Sequence, residues 1–247
     1  MSETAPSHTG SRITRSLGIA TLAGIVLLLI YALVLSPADE LQGDAVRLMY
    51  IHVPISTLML TGYGITALAS AMYLWKRSRW WDTLAAASAE VGIVFTGLSL
   101  ATGSIWGRPV WGVWWTWDAR LTSTALLFLL YVGYLAVRRL PADVDVRNRR
   151  SAYVALLAFV DVPIVHFSVT WWRSLHPGST ITRVDPTIHG LMLFTLMLGF
   201  VVIGLLYTWL LVHRFRVAWL EDSLEERGLA LAIEERRAEA DAEVDAR

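Results

Sequence analysis

Trp106-Gly107-Arg108-Pro109-Val110-Trp111-Gly112-Val113-Trp114-Trp115-Thr116-Trp117-Asp118-Ala119-Arg120 places five of the chain's twelve tryptophans between two long apolar runs. Gly107, Pro109 and Gly112 weaken or break a regular transmembrane helix. The stretch therefore reads as a loop or a broken amphipathic helix at a membrane surface. Indole rings favour the headgroup level, where an apolar body and a polar N–H are both accommodated. Two readings stay open on this ground. One is an ordinary aromatic belt, which needs only one or two tryptophans per helix end. The other is a platform for a flat aromatic ligand, which suits five tryptophans with Arg108, Asp118 and Arg120 among them.

Outward from this stretch, the flanking runs at 83–105 and 121–138 have the length of membrane spans, and runs at 17–35, 48–75, 151–169 and 188–212 resemble them. Each can cross a hydrocarbon core of ~30 Å as a helix. Pro54 falls near the first turn of the second run, where proline is tolerated. Pro163 lies inside the fifth and predicts a kink. No small-x-small cleavage site closes the first run, so it reads as an uncleaved helix. The expected fold is an all-α integral membrane protein with six transmembrane helices. Composition agrees: 55% of the residues are hydrophobic, 17% are charged and mean hydropathy is +0.50.

The loops set the orientation. Arg12 and Arg15, then Lys76, Arg77 and Arg79, then Arg138, Arg139, Arg147, Arg149 and Arg150, then Arg214 and Arg216 fall on one side. Arg47, Arg108, Arg120, Arg173 and Arg183 fall on the other. Basic loops stay cytoplasmic, so both termini are expected inside and the tryptophan stretch outside. The chain divides into a disordered tail at 1–16, a membrane domain at 17–212 and a cytoplasmic tail at 213–247, read as an amphipathic helix that frays. The chain has no Gly-x-x-x-x-Gly-Lys-Ser/Thr loop, so it does not hydrolyse ATP by that route. A net charge of zero gives no field that would draw nucleic acid. With no cysteine, this chain alone forms no disulfide, thiolate metal site or iron–sulfur cluster.

Any metal or haem must therefore be held by histidine, methionine, tyrosine or a carboxylate. His52 opens the second run, and His176 stands before Pro177-Gly178, a pair that turns the chain sharply. Two neutral imidazoles on opposite sides of an aromatic platform are what a six-coordinate haem iron requires. The other reading of each is a satisfied interfacial histidine. His166 and His189 read as helix-end hydrogen bonders, with His166 also placed to support the pocket from behind. Glu90 and Asp161 are carboxylates inside spans. Interhelical hydrogen bonding is preferred for them over a proton path. Arg108, Arg120, Arg173 and Arg183 suit ligand carboxylates such as haem propionates, or lipid headgroups.

Trp106 through Ser123 resembles the WWD signature of haem-handling membrane proteins. Met49-Tyr50-Ile51-His52-Val53-Pro54 and the stretch from Val165-His166-Phe167 to His176-Pro177-Gly178-Ser179 resemble the histidine motifs of one family within it. That family is cytochrome c maturation protein C, also called haem exporter protein C. The resemblance covers roughly 17–212. The larger protein F and the Ccs-type synthases have segments this chain lacks. Asp161 and the long acidic C-terminal tail depart from the family pattern.

The resemblance implies a haem chaperone of the bacterial inner membrane. Haem b would sit at the periplasmic face with His52 and His176 as axial ligands. Trp106, Trp111, Trp114, Trp115, Trp117 and Asp118 would form its platform. The haem would pass to the periplasmic haem chaperone, protein E. An ABC transporter (proteins A and B) and the small membrane protein D would work alongside. Competing readings are a haem-exporting transporter subunit and a quinone-linked membrane redox enzyme.

Overall fold

The computed structural model describes residues 10–176 and 188–245. Those residues are helical almost throughout and contain no strand beyond the isolated bridge Asp39–Gly43. The order is α1 (Arg12–Ile30), a π-helical turn (Tyr31–Leu35), a short 3-10 turn (Asp44–Leu48), α2 (Met49–Lys76), α3 (Arg79–Trp111), α4 (Ala119–Arg139), α5 (Val144–Phe159), α6 (Asp161–Trp171) and α7 (Gly190–Asp245). Six helical stretches are long and apolar enough to cross a membrane, with α5 and α6 together making the fifth.

The fifth span breaks where its proline dictates. Pro163 has no N–H for the Phe159 carbonyl four residues back, and its ring crowds that carbonyl. The helix therefore stops at Phe159, Val160 bonds back to the Leu157 carbonyl at 3.2 Å, and α6 restarts at Asp161.

Three expected boundaries move. The first helix begins at Arg12, inside the tail expected at 1–16. Ser11 and Thr14 cap it reciprocally: Thr14 N–H donates to Ser11 Oγ, and Ser11 N–H to Thr14 Oγ1 at 2.7 Å. At the other end α7 runs unbroken from Gly190 through Asp245, with no boundary at 213. Most importantly, α3 continues to Trp111, so Trp106, Gly107 and Pro109 are helical rather than looped. Pro109 sits in the last turn, where it costs the helix one hydrogen bond. Gly112, at φ 79°, then ends it with its N–H on the Arg108 carbonyl.

α2 and α3 form the most extensive helix pair, and α4, α5 and α7 pack around them. α1 stands at the rim, chiefly against α7. The α2–α3 seam holds small and hydroxylated residues. Tyr63 and Thr96 share a 2.6 Å hydrogen bond, as do Ser56 and Ser99, and Ser88 donates to the Gly62 carbonyl at 2.8 Å. In a bilayer such contacts replace the hydrophobic effect as interhelical glue, each contributing about 0.6–2 kcal/mol. Beside the seam the buried rings of Tyr63 and Tyr131 stack at 3.7 Å between centroids.

One end of the bundle gathers ion pairs. Arg138 grips Asp82 with two bonds of 2.8 and 2.5 Å, Arg214 bonds Glu90 and Glu221, and Arg79 reaches Asp222. Glu90 thus serves an α3–α7 contact. Asp161 is buried, and its Oδ2 has no hydrogen-bond partner. The tryptophan stretch lies at the opposite end.

Candidate functional site

At that opposite end the structure brings His52 and His176 together. Their ring centroids lie 6.2 Å apart and their planes are 18° from parallel. His52 is in the second turn of α2, buried against α3. His176 is the last described residue after α6. Pro177, Gly178 and Arg183 lie outside the described residues, as does His8.

Two of the five tryptophans flank this pair. Trp106 meets His52 edge-on at 5.6 Å, and Trp111 meets His176 edge-on at 5.5 Å. Both project from the last two turns of α3, which is why the helical continuation matters. Trp106 Nε1 donates to Gln42 Oε1 at 2.9 Å. Gln42 is presented by a turn in which Asp39 Oδ1 accepts from the N–H groups of Leu41 and Gln42. Gln42, His52, Gly103, Trp106, Gly107, Val110, Trp111 and His176 enclose a cavity of about 40 Å³.

The remaining tryptophans behave differently. Trp114 and Trp117 are 59% and 83% exposed. Trp115 packs edge-on against Trp117, and its Nε1 is buried without a partner, as is Thr116 Oγ1. The five tryptophans thus do not form one surface. Trp106 and Trp111 meet the histidines, whereas Trp114 and Trp117 are exposed.

Asp118 works by clasping rather than stacking. Its Oδ1 accepts from Leu121 N–H at 2.8 Å, capping α4. Its Oδ2 accepts from Ser174 Oγ at 2.6 Å and from Leu175 N–H at 3.2 Å. Ser174 Oγ in turn accepts from His176 N–H at 3.0 Å. One carboxylate therefore ties the start of α4 to the segment that carries His176. Sequence reasoning named Asp118 but missed Ser174. The signal for the cap was there, an aspartate directly before a helical run.

Arg120 donates to the His166 carbonyl at 3.0 Å and to Ser168 Oγ at 3.4 Å, joining α4 to α6. Burial, and then the Arg120 guanidinium, lower the His176 imidazole from its ordinary 6.5 to about 4, with Asp118 opposing. His176 is therefore neutral at pH 7, with a lone pair to offer. His166 itself is exposed, its ring edge-on to Phe167 at 4.7 Å, so only its backbone reaches this network. Arg108 is exposed and donates to the Gly112 carbonyl, and Arg173 is exposed. His189 is exposed just before α7, and His213 lies edge-on to Trp209 at 5.5 Å, away from the pair.

Two residues of α3 complete the His52 side, and sequence reading singled out neither. Thr102 Oγ1 lies 2.9 Å from His52 Nδ1. Gly103 leaves room for the ring, since a Cβ there would stand 2.9 Å from His52 Cε1.

The fold and the site define a six-span, all-α membrane protein with a histidine pair set between tryptophans at one end of the bundle. The family model described as haem exporter protein C matches residues 3–229. The haem exporter protein C of Haemophilus influenzae is 38% identical over 195 residues, covering 78% of this chain and 79% of its own. That of Escherichia coli K12 is 34% identical over 220 residues, 86% and 89% of the two chains. That of Bradyrhizobium diazoefficiens is 42% identical over 164 residues, 66% and 62%. The chain belongs to the haem exporter protein C family.

Proposed function

We propose that this chain is a haem chaperone of cytochrome c maturation in the bacterial inner membrane. It binds haem b at the periplasmic face through His52 and His176. It presents the haem to the periplasmic chaperone protein E, alongside the ABC transporter proteins A and B and the small protein D.

The observation that carries this reading is the spacing of the two rings. Two imidazoles bonded end-on to one metal atom stand about 6 Å apart centre to centre, given metal–nitrogen bonds of about 2 Å. The 6.2 Å between His52 and His176 fits. A structural zinc site takes four protein ligands. Among the described residues no three His, Asp or Glu cluster. A two-imidazole site suits an iron whose other four positions come from a macrocycle.

Trp106 and Trp111 hold the rings' orientation and add apolar surface. Arg120, Arg108 and Arg173 are described cations at this end that suit propionate groups. The cavity of about 40 Å³ is far smaller than a porphyrin. With the two rings kept 6.2 Å apart, most of a bound porphyrin therefore projects from the cavity. A projecting edge is what a receiving protein needs, so the chain's task is positioning. The basic ends of the helices, opposite the site, support the periplasmic assignment.

Purified full-length protein is expected to show a bis-imidazole Soret spectrum with haem b, and His176→Ala or His52→Ala to lose it. An unchanged bis-imidazole spectrum in His176→Ala would sink the proposal.

A further inference from the structure

Thr102 decides which nitrogen of His52 is free. Its hydroxyl carries a single hydrogen, and the Leu98 carbonyl one turn back lies 2.7 Å from Oγ1. That carbonyl is a fixed acceptor, so the hydrogen goes there, as threonine hydroxyls in helices commonly place it. Toward His52 Nδ1, 2.9 Å away, Oγ1 can then only accept. An accepting oxygen requires a hydrogen on Nδ1. A neutral imidazole with its hydrogen on Nδ1 has its lone pair on Nε2.

The rest of the environment keeps the ring in that pose. Gly103 lets it lie against the α3 backbone, Trp106 meets it edge-on at 5.6 Å, and the His52 carbonyl is tied by Ser56 Oγ at 2.8 Å. Ser56 is tied in turn to Ser99 on α3 at 2.6 Å. His52 is thus held by the seam on which the whole bundle is built.

We propose that Thr102 is the positioning residue of the site: by accepting the Nδ1 hydrogen of His52 it fixes one tautomer and leaves Nε2 as the metal-binding nitrogen. The purpose assigned to it rests on the haem reading above, whereas the tautomer does not. Partners of this kind orient a ligating ring and raise its basicity, and their loss typically lowers metal affinity about 10–100-fold.

The test has two readouts on the full-length protein in lipid nanodiscs. The first is nitrogen-15 NMR of labelled histidine without haem. His52, assigned by its loss in His52→Ala, is expected to carry its hydrogen on Nδ1. Thr102→Val, matched in shape, is expected to give a mixture of tautomers, and Thr102→Ser to restore the single form. The second is haem b titration with electron paramagnetic resonance of the ferric complex. Thr102→Val is expected to bind about 10–100-fold more weakly with shifted low-spin g values. Thr102→Ser is expected to stay near the wild type. A hydrogen on Nε2 in the wild-type protein overturns the proposal. So does Thr102→Val with haem affinity within about twofold of wild type and unshifted g values. A His52→Ala protein that keeps the wild-type haem spectrum overturns the ligand assignment instead, and the NMR result then stands by itself.

Discussion

Asp118 and Ser174, 56 residues apart in sequence, are joined by a 2.6 Å hydrogen bond that carries the His176 segment onto the start of α4. The aspartate has no oxygen to spare, because its other one caps the helix.

Asp118→Ala is therefore expected to lose both ties. The cap accounts for about 1 kcal/mol of stability. At the proposed haem site the loss is larger, about 10–100-fold in affinity, because His176 is no longer held. Asp118→Asn can keep only one of the two oxygen contacts and is expected to fall between. Hydrogen exchange at Leu175 and His176, read beside haem titration, checks the order. Unchanged exchange in Asp118→Ala would refute the clasp.

Gly103→Ala adds a methyl group that would stand 2.9 Å from His52 Cε1, whereas the same methyl at Gly97 meets nothing closer than Phe128 at 3.8 Å. The first variant is expected to displace the imidazole and lose about 1–3 kcal/mol through overpacking. The second is expected to be neutral. Thermal unfolding in detergent together with haem titration separates them, and equal behaviour of the two would contradict the packing described.

His176 supplies a pH dependence. Its folded value of about 4 lies below its unfolded 6.5, so folding favours the neutral ring. The stability this contributes is fully present above pH 6.5 and is lost as pH falls toward 4. In haem-free protein, exchange protection of the 172–176 segment is expected to decline over that window. His176→Gln is expected to flatten the decline. A decline beginning only below pH 4 would count against it.

At the far end of the bundle, Asp82 and Arg138 form an ion pair that is 5% and 15% exposed. Asp82→Asn leaves the guanidinium with only the more distant Asp222 as countercharge and is expected to cost about 3 kcal/mol. Adding Arg138→Leu should recover part of it. Haem affinity is expected to follow the folded fraction only, so a selective loss of haem binding would show that this pair reaches the site.

Much of the architecture could be read from apolar run lengths, and the break in the fifth span from Pro163 alone. The C-terminal part of α3 could not. Gly107 and Pro109 carry the local signal of a loop, yet the helix continues through them and brings the half-buried Trp106 and Trp111 beside the histidines. Residue type leaves His52 and His176 open between paired ligands and separate interfacial histidines, and only the resemblance to the haem-handling family joins them. Thr102 and Ser174 could not be read, because a hydroxyl looks the same in sequence whether it bonds its own segment or a partner 50 or 56 residues away. Pairs of that kind exist only once the helices have packed.

The two imidazoles are mounted unequally. His52 stands on paired helices, pinned by Thr102, Ser56 and Trp106, while His176 hangs from a short segment that Asp118 and Ser174 fasten. On the proposed reading, a recipient that replaces His176 need not disturb the α2–α3 seam around His52.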